Sequence, residues 1–400
     1  MSFTFVLAPD SFKESMTAKE VCVAMEAGLR SAFPDARFLH VPMADGGEGT
    51  VQSLVDATGG IMRSKTVAGP LGLPVVADYG VLGSGAIGLI EMASASGLAL
   101  LAPEDRDPRL TSTYGTGELI RACLDAGVRR IIIGIGGSAT NDAGAGMAQA
   151  LGARLLDAEG LPLPQGGAAL AALDRIDLSG LDPRLAQVQI EVACDVANPL
   201  CGPNGASAVY GPQKGGDAAA IRELDAALAH FAQVVARDLG RDVTGVPGAG
   251  AAGGLGAGLL AFTHAELRRG IDIVIEYTNL ARHIAEADMV ITGEGKIDSQ
   301  TQFGKTPFGV AHLARQHGRP VIAVAGCVGD DAEVLYRDVF DAVFPIIGQI
   351  APKTEVFLLG AVNVERTCRN IGRLLALPRD RDLPNPSTGI GAQEVVHQFK

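Results

Sequence analysis

At both ends of this chain, short apolar runs alternate with segments of helical spacing, a rhythm that few folds satisfy. Residues 3–8 form an apolar run of strand length, 17–32 repeat apolar residues at helical intervals, 37–43 return to strand character and 48–57 to helical. The pattern recurs at 288–292, 307–317, 321–325, near Ala332 and at 342–345. Successive βα units bury their strands between two helical layers, because right-handed crossovers lay the helices on the sheet faces. A parallel sheet assembled from the two chain ends is therefore expected. Between them the grain changes: 66–80 and 86–92 read as antiparallel strands with Gly and Pro turns, and 160–169 as a Gly/Pro-rich connection. This implies one α/β domain, residues 1–63 and 285–375, interrupted by a second, mixed α/β domain at 64–284, with a ligand cleft between them. Residues 376–400 carry Pro378, Pro384 and Pro386 among mixed charges and read as a flexible tail.

Composition narrows the chemistry. With 47% apolar and 20% charged residues, the 400-residue chain can bury enough surface to offset its ordering entropy. Its net charge of −12 argues against a broad nucleic-acid or anionic-membrane surface, while leaving room for a local basic pocket. The six cysteines are scattered without a CxxC or Cys/His cluster, which speaks against zinc and fits reduced thiols in a cytoplasm. The first ten residues read as a core strand, not as a secretion signal. The uncharged stretch between Asp242 and Glu266 holds too many glycines for a membrane span and reads as a packed loop and helix.

Two segments fall where strands end and helices begin, the edge at which open parallel sheets bind ligands. APDSFKES (8–15) offers Asp10 for a metal or a proton, Ser11 as a donor and Lys13 for phosphate; it also reads as a turn capped by Ser15 or Thr17. PMADGGEGT (42–50) repeats the design. Its Gly46, Gly47 and Gly49 let backbone N–H groups crowd a ligand oxygen, and Asp45 and Glu48 suit Mg²⁺ shared with phosphate.

GIGGSATND (134–142) follows an apolar run and matches a dinucleotide fingerprint through Gly134, Gly136 and Ala139, with Asp157 downstream, so an NAD(P)-dependent hydroxy-acid dehydrogenase is the alternative reading. The late position in the chain and the short following strand, 154–156, count against it. Gly137, Ser138, Thr140 and Asn141 suit direct phosphate or carboxylate contacts instead, and Asp142 suits a helix cap. SQTQFGKT (299–306) resembles a phosphate loop lacking its first Gly, and with its strand expected to end near Thr292 the context fails; Thr306 before Pro307 reads as a helix cap. Lys296 and Lys305 remain as point charges for phosphate. Residues 191–215 place Asp195, Asn198, Gln213 and Lys214 in one excursion, with Asp195 suited to a general base or to a turn.

Taken together, APDSFKES, PMADGGEGT, STYGTGELI, GIGGSATNDAGAG, ACDVANPLCGPNGASAVYGPQKG, AGAAGGLGAGLLAF and ADMVITGEGKIDSQT resemble the type I glycerate kinase family, in order, from Phe3 to about Leu375. The resemblance implies a discontinuous flavodoxin-like parallel-sheet domain with an inserted second mixed α/β domain. It also implies phosphorylation of D-glycerate by ATP with Mg²⁺, usually at the 2-hydroxyl, by a cytoplasmic enzyme without nucleic-acid or membrane partners. Oligomeric state stays open. Chemistry then suggests roles: Asp10 and Asp45 for Mg²⁺, Asp195 as base, Lys13, Lys214 or Lys296 against phosphoryl charge, and the 46–49 or 136–137 glycines as cradle. Ser11, Ser138, Thr140, Asn141, Asn198 and Glu294 complete the expected binding set.

Overall fold

The structure is a computed structural model that describes residues 3–47, 49–302, 304–336, 338–349 and 351–377. The expected tail, from Pro378 onward, and Glu48 lie outside the described residues.

Thirteen strands are found among them: β1 (Thr4–Pro9), β2 (Arg37–His40), β3 (Ile61–Ala68), β4 (Pro74–Val81), β5 (Ile87–Glu91), β6 (Arg130–Gly134), β7 (Arg154–Leu156), β8 (Arg175–Asp177), β9 (Gln189–Ala193), β10 (Glu266–Arg268), β11 (Met289–Ile297), β12 (Val321–Val328) and β13 (Ala342–Pro345). The chain ends build one sheet in the order β13-β12-β11-β1-β2, with every pairing parallel. Renumbered by appearance in that sheet, the order is 2-1-3-4-5 read from β2, the flavodoxin-like arrangement whose switch point lies between β1 and β11. The middle builds a mixed sheet, β10-β9-β6-β5-β4-β3, antiparallel across β3-β4-β5 and parallel from β5 to β10.

Period-two alternation divides each first-sheet strand between two cores. Phe5, Leu7, Met289, Ile291, Ile322 and Val324 pack against helices Ala18–Arg30 and Gly360–Leu375. Val6, Ala8, Val290, Val321 and Ala323 face the opposite way, onto helices Thr50–Thr58, Gly270–Tyr277, Leu280–Ala285 and Thr306–Gln316. That second cluster also takes in Leu89, Ile132 and Ala193 from the other sheet, so a shared helical layer joins the two sheets. A third cluster covers the far face of the mixed sheet.

Several expectations shift. The 288–292 strand runs on to Ile297, because β11 stays in register with β12 as far as Ile297 opposite Val328. β3, the first strand of the mixed sheet, starts at Ile61, beside the break expected near Arg63. Helices Lys353–Leu358 and Gly360–Leu375 follow the last strand and had no counterpart in the sequence reading. The strand after GIGGSATND pairs antiparallel with β8 in a separate two-stranded ribbon, so the parallel neighbour of β6 comes only at β9, further along the chain than the dinucleotide fingerprint requires. Among the described residues no helix is long and apolar enough to cross a membrane, and Ala251–Phe262 is buried along most of its length.

Candidate active site

Ligand-sized hollows lie at the carboxyl ends of the parallel strands in both sheets, and Asp45 lines each of them. The larger, about 780 Å³, opens beyond β1, β11 and β12. Asp10, Ser11 and Lys13 enter it from the turn after β1, Glu294 and Lys296 from the last residues of β11, and Lys305 from the loop before helix Thr306–Gln316. Its opposite wall is apolar: Phe12, Ile346, Ile347, Val356 and Phe357. The smaller, about 450 Å³, opens beyond β6 and β9 and is lined by Gly46, Gly47, Gly136, Gly137, Ser138, Asp195, Tyr210, Gln213 and Lys214.

The loop after β2 explains why the hollows meet. Gly46 has φ 92°, and a Cβ there would sit 2.8 Å from Gly270 Cα and 2.9 Å from Ala193 Cβ. A Cβ on Gly270 would lie 2.0 Å from the Asp45 carbonyl oxygen. Only two glycines in contact let this loop, which leaves the first sheet, cross onto the end of β9 and carry Asp45 between the cavities. The Gly47 N–H donates to Asp45 Oδ1 at 3.1 Å, and the Val51 N–H at the following helix start donates to Glu91 at 2.9 Å. Part of the expected backbone cradle is thus already occupied. Gly49 caps that helix and lines a side groove with Ser11 and Lys13.

The acids form a graded series. Asp10 accepts from the Ser11 N–H at 2.6 Å and from the Thr306 hydroxyl at 2.7 Å; burial, then the Asp45 charge, still push it up to about 6. Asp195 accepts from the Gly270 N–H at 3.0 Å, at the start of helix Gly270–Tyr277. Desolvation by the cavity walls and the Asp45 charge bring it to about 6. Glu294 accepts from the Thr301 hydroxyl at 2.7 Å and pairs with Lys305 at 3.5 Å, yet burial raises it to about 7. Carboxylates that resist ionising together invite a cation. The donor set fits Mg²⁺, which takes oxygen ligands from one or two carboxylates and draws the rest from water and phosphate. Among the described residues, no group of three or more His, Cys, Asp or Glu side chains makes a metal site unaided.

The cations differ sharply. Lys13 and Lys296 stand at the mouth of the larger cavity, Lys296 paired with Asp298 at 2.8 Å. Lys214 is 1% exposed; its Nζ donates to Ser138 Oγ at 2.8 Å and to the Thr140 carbonyl at 2.7 Å. Thr140 and Asn141 sit behind the smaller cavity rather than on its wall, Asn141 Nδ2 donating to Ser207 at 2.9 Å. Asn198 also stands back: it accepts from the Tyr210 hydroxyl at 2.7 Å and donates to the Asn204 carbonyl at 2.9 Å, so it locks a turn and steadies Tyr210. Asp142 accepts from Thr113, Gly144 and Gly146 and anchors its own turn, while Gly144, not Asp142, takes the helix-cap position. Asp157 closes a turn through the Glu159 and Leu161 N–H groups.

The phosphate-loop lookalike needs a correction. Because β11 reaches Ile297, SQTQFGKT does connect a strand directly to a helix, contrary to the context expected from the sequence. Its amides nevertheless turn inward, Gln300 to Asp298 Oδ1 and Thr301 to the Asp298 carbonyl. Lys305, not Thr306, takes the helix-cap position, and the Thr306 hydroxyl goes to Asp10. The apolar wall of the larger cavity went unforeseen, since 346–357 has no local signature.

Residues 5–376 match the model of the glycerate kinase family. The chain is 54% identical over 372 residues to a glycerate kinase of Haemophilus influenzae, covering 93% of this chain and 98% of that one. It is 53% identical over 372 residues to the glycerate 2-kinase of Escherichia coli K12, with the same coverage. A crystal structure of a candidate glycerate kinase 2 from Salmonella typhimurium LT2 superposes with a TM-score of 0.87 at 53% identity, covering 94% of this chain and 98% of that chain. A fold, a switch-point cleft lined by acids and lysines, and near-complete sequence correspondence lead to one assignment: the chain belongs to the glycerate kinase family and is a kinase.

Proposed function

We propose that this chain transfers the γ-phosphoryl group of ATP to the 2-hydroxyl of D-glycerate, giving 2-phosphoglycerate and ADP. The observation that carries this reading is the convergence of Asp10, Asp45, Lys13 and Lys305 with an apolar wall in one cavity, joined through Asp45 to a smaller cavity holding Asp195. Asp195 accepts the proton of the acceptor hydroxyl. The hydroxyl oxygen then forms the new bond to phosphorus, while the bond from phosphorus to the β,γ-bridging oxygen breaks and leaves its electron pair on ADP. Asp10 and Asp45 are the residues that would hold Mg²⁺, which when bound would supply positive charge against that of the phosphates. Lys13, Lys296 and Lys305 offset the charge on the transferred group, and Glu294 orients Lys305.

Residues 1–63 with 285–375 act as one lobe and 64–284 as the other, and their approach excludes water from the transfer. The shared apolar layer between the sheets limits that motion to a small adjustment. The 2-position is favoured by the name of the Escherichia coli relative. The proton-coupled phosphorus NMR spectrum of the product tests donor, acceptor and position together: a doublet is expected from phosphate on the one-hydrogen C2. A triplet would place it on C3, and the absence of any new phosphomonoester signal beside those of the nucleotides would reject the reaction.

A further inference from the structure

The two cavities differ in the way two different substrates would require. The larger is walled by Phe12, Ile346, Val356 and Phe357 and rimmed by lysines, which suits a flat apolar base carrying a polyanionic tail. The smaller holds one deeply buried cation, Lys214, and two acids, Asp195 and the Asp45 it shares with the larger cavity. An ammonium has three donors, and Lys214 uses two, on Ser138 and the Thr140 carbonyl, neither of them anionic. The acid whose charge acts on it, Asp142, already accepts four hydrogen bonds from Thr113, Gly144 and Gly146. Burial accordingly drags Lys214 down to about 7. A cation held this deep with no ion pair among the described residues, on the wall of a cavity, is completed by an anionic ligand.

We propose that the smaller cavity is the acceptor subsite, where Lys214 and Ser138 receive the carboxylate of a short α-hydroxy acid and turn its hydroxyl toward Asp195, while the larger cavity takes the nucleotide. This rests on the reaction proposed above and goes further by dividing the site and naming its specificity residue. The Gly136–Gly137 turn leaves room for the carboxylate, since a Cβ on Gly136 would meet nothing closer than 3.7 Å. Lys214 thus selects for the acid over the corresponding alcohol or amide by a charge-assisted contact that neutral analogues cannot make.

The test measures steady-state constants for glycerate and for its carboxamide in the wild type and in Lys214→Met, with ATP varied separately. The expected result is a rise of roughly 10- to 100-fold in KM for glycerate, an ATP KM within about twofold, and loss of the preference for acid over amide. Lys214→Arg should restore part of that preference. If the methionine variant does not fold, Ser138→Ala decides: it removes the second group proposed for the carboxylate from the same cavity and should raise the glycerate KM several-fold while leaving the ATP KM within about twofold. An unchanged glycerate KM with a raised ATP KM would overturn the assignment while leaving the reaction intact. Failure of the wild type to phosphorylate glycerate would overturn the reaction and the subsite with it.

Discussion

Asp45 lines both cavities: burial lifts Asp10 on one side and Asp195 on the other, and Asp45 is the common neighbour that adds to both. Asp195 stands at about 6, so a base of this kind is half-ionised near pH 6 and competent above it. The acidic limb of the kcat/KM profile should therefore be centred near pH 6, with activity rising toward neutrality. Asp195→Asn removes the proton acceptor but keeps the shape, and should lower kcat by about 10²- to 10⁴-fold with the acidic limb abolished. Asp45→Asn should lower kcat by a similar order and raise the Mg²⁺ concentration needed for half-maximal rate. Near-normal turnover in either variant, measured on folded protein, removes that residue from its role.

Among the elements, the loop between β2 and helix Thr50–Thr58 contributes most to assembling the site. Its backbone runs against Gly270 and Ala193 at distances that leave no room for a side chain, and Gly46 has a positive φ besides. Gly46→Ala combines left-handed strain with an overlap against backbone, and should cost about 1–3 kcal/mol in a urea titration and lower kcat/KM at least tenfold. Wild-type values for both would mean the loop is not held as described. β11 makes a comparable contribution by length alone. Extending to Ile297, it delivers Glu294 and Lys296 from a strand, where β12 fixes their positions, rather than from a free turn.

For the whole molecule, the raised carboxyls set a cost on the unliganded fold. Asp10 at about 6 and Glu294 at about 7 bind protons more tightly folded than unfolded. Their contribution to stability is complete below about pH 4 and is lost as pH rises through 6 to 7. Thermal unfolding in EDTA without nucleotide should show this as a fall in Tm over that window beyond the drift of Asp10→Asn. At pH 7.5 that variant should melt about 1–3 °C above the wild type, and Mg²⁺ with nucleotide should reverse the order. A variant that is less stable at pH 7.5 without ligand would contradict the charge balance described.

Much of this architecture is written locally. Apolar runs and helical spacing announce β1, β2, β12 and β13, because strand burial and helix amphipathicity are set by near neighbours in the chain. The motif segments likewise mark Asp10, Asp45, Asp195 and Lys214 as residues of the cavities, since strand-end turns rich in Gly, Asp and Lys are cheap to recognise. What pairs with what is another matter. That Thr306 answers Asp10 across 296 positions, that Asn198 turns to Tyr210, and that β7 joins a ribbon instead of the main sheet follow from packing between distant segments. The apolar wall from 346–357 and the lack of an ion pair for Lys214 among the described residues are of the same kind. Each depends on which surfaces meet once the chain has folded, and that is encoded in contacts of long sequence separation that no local window contains.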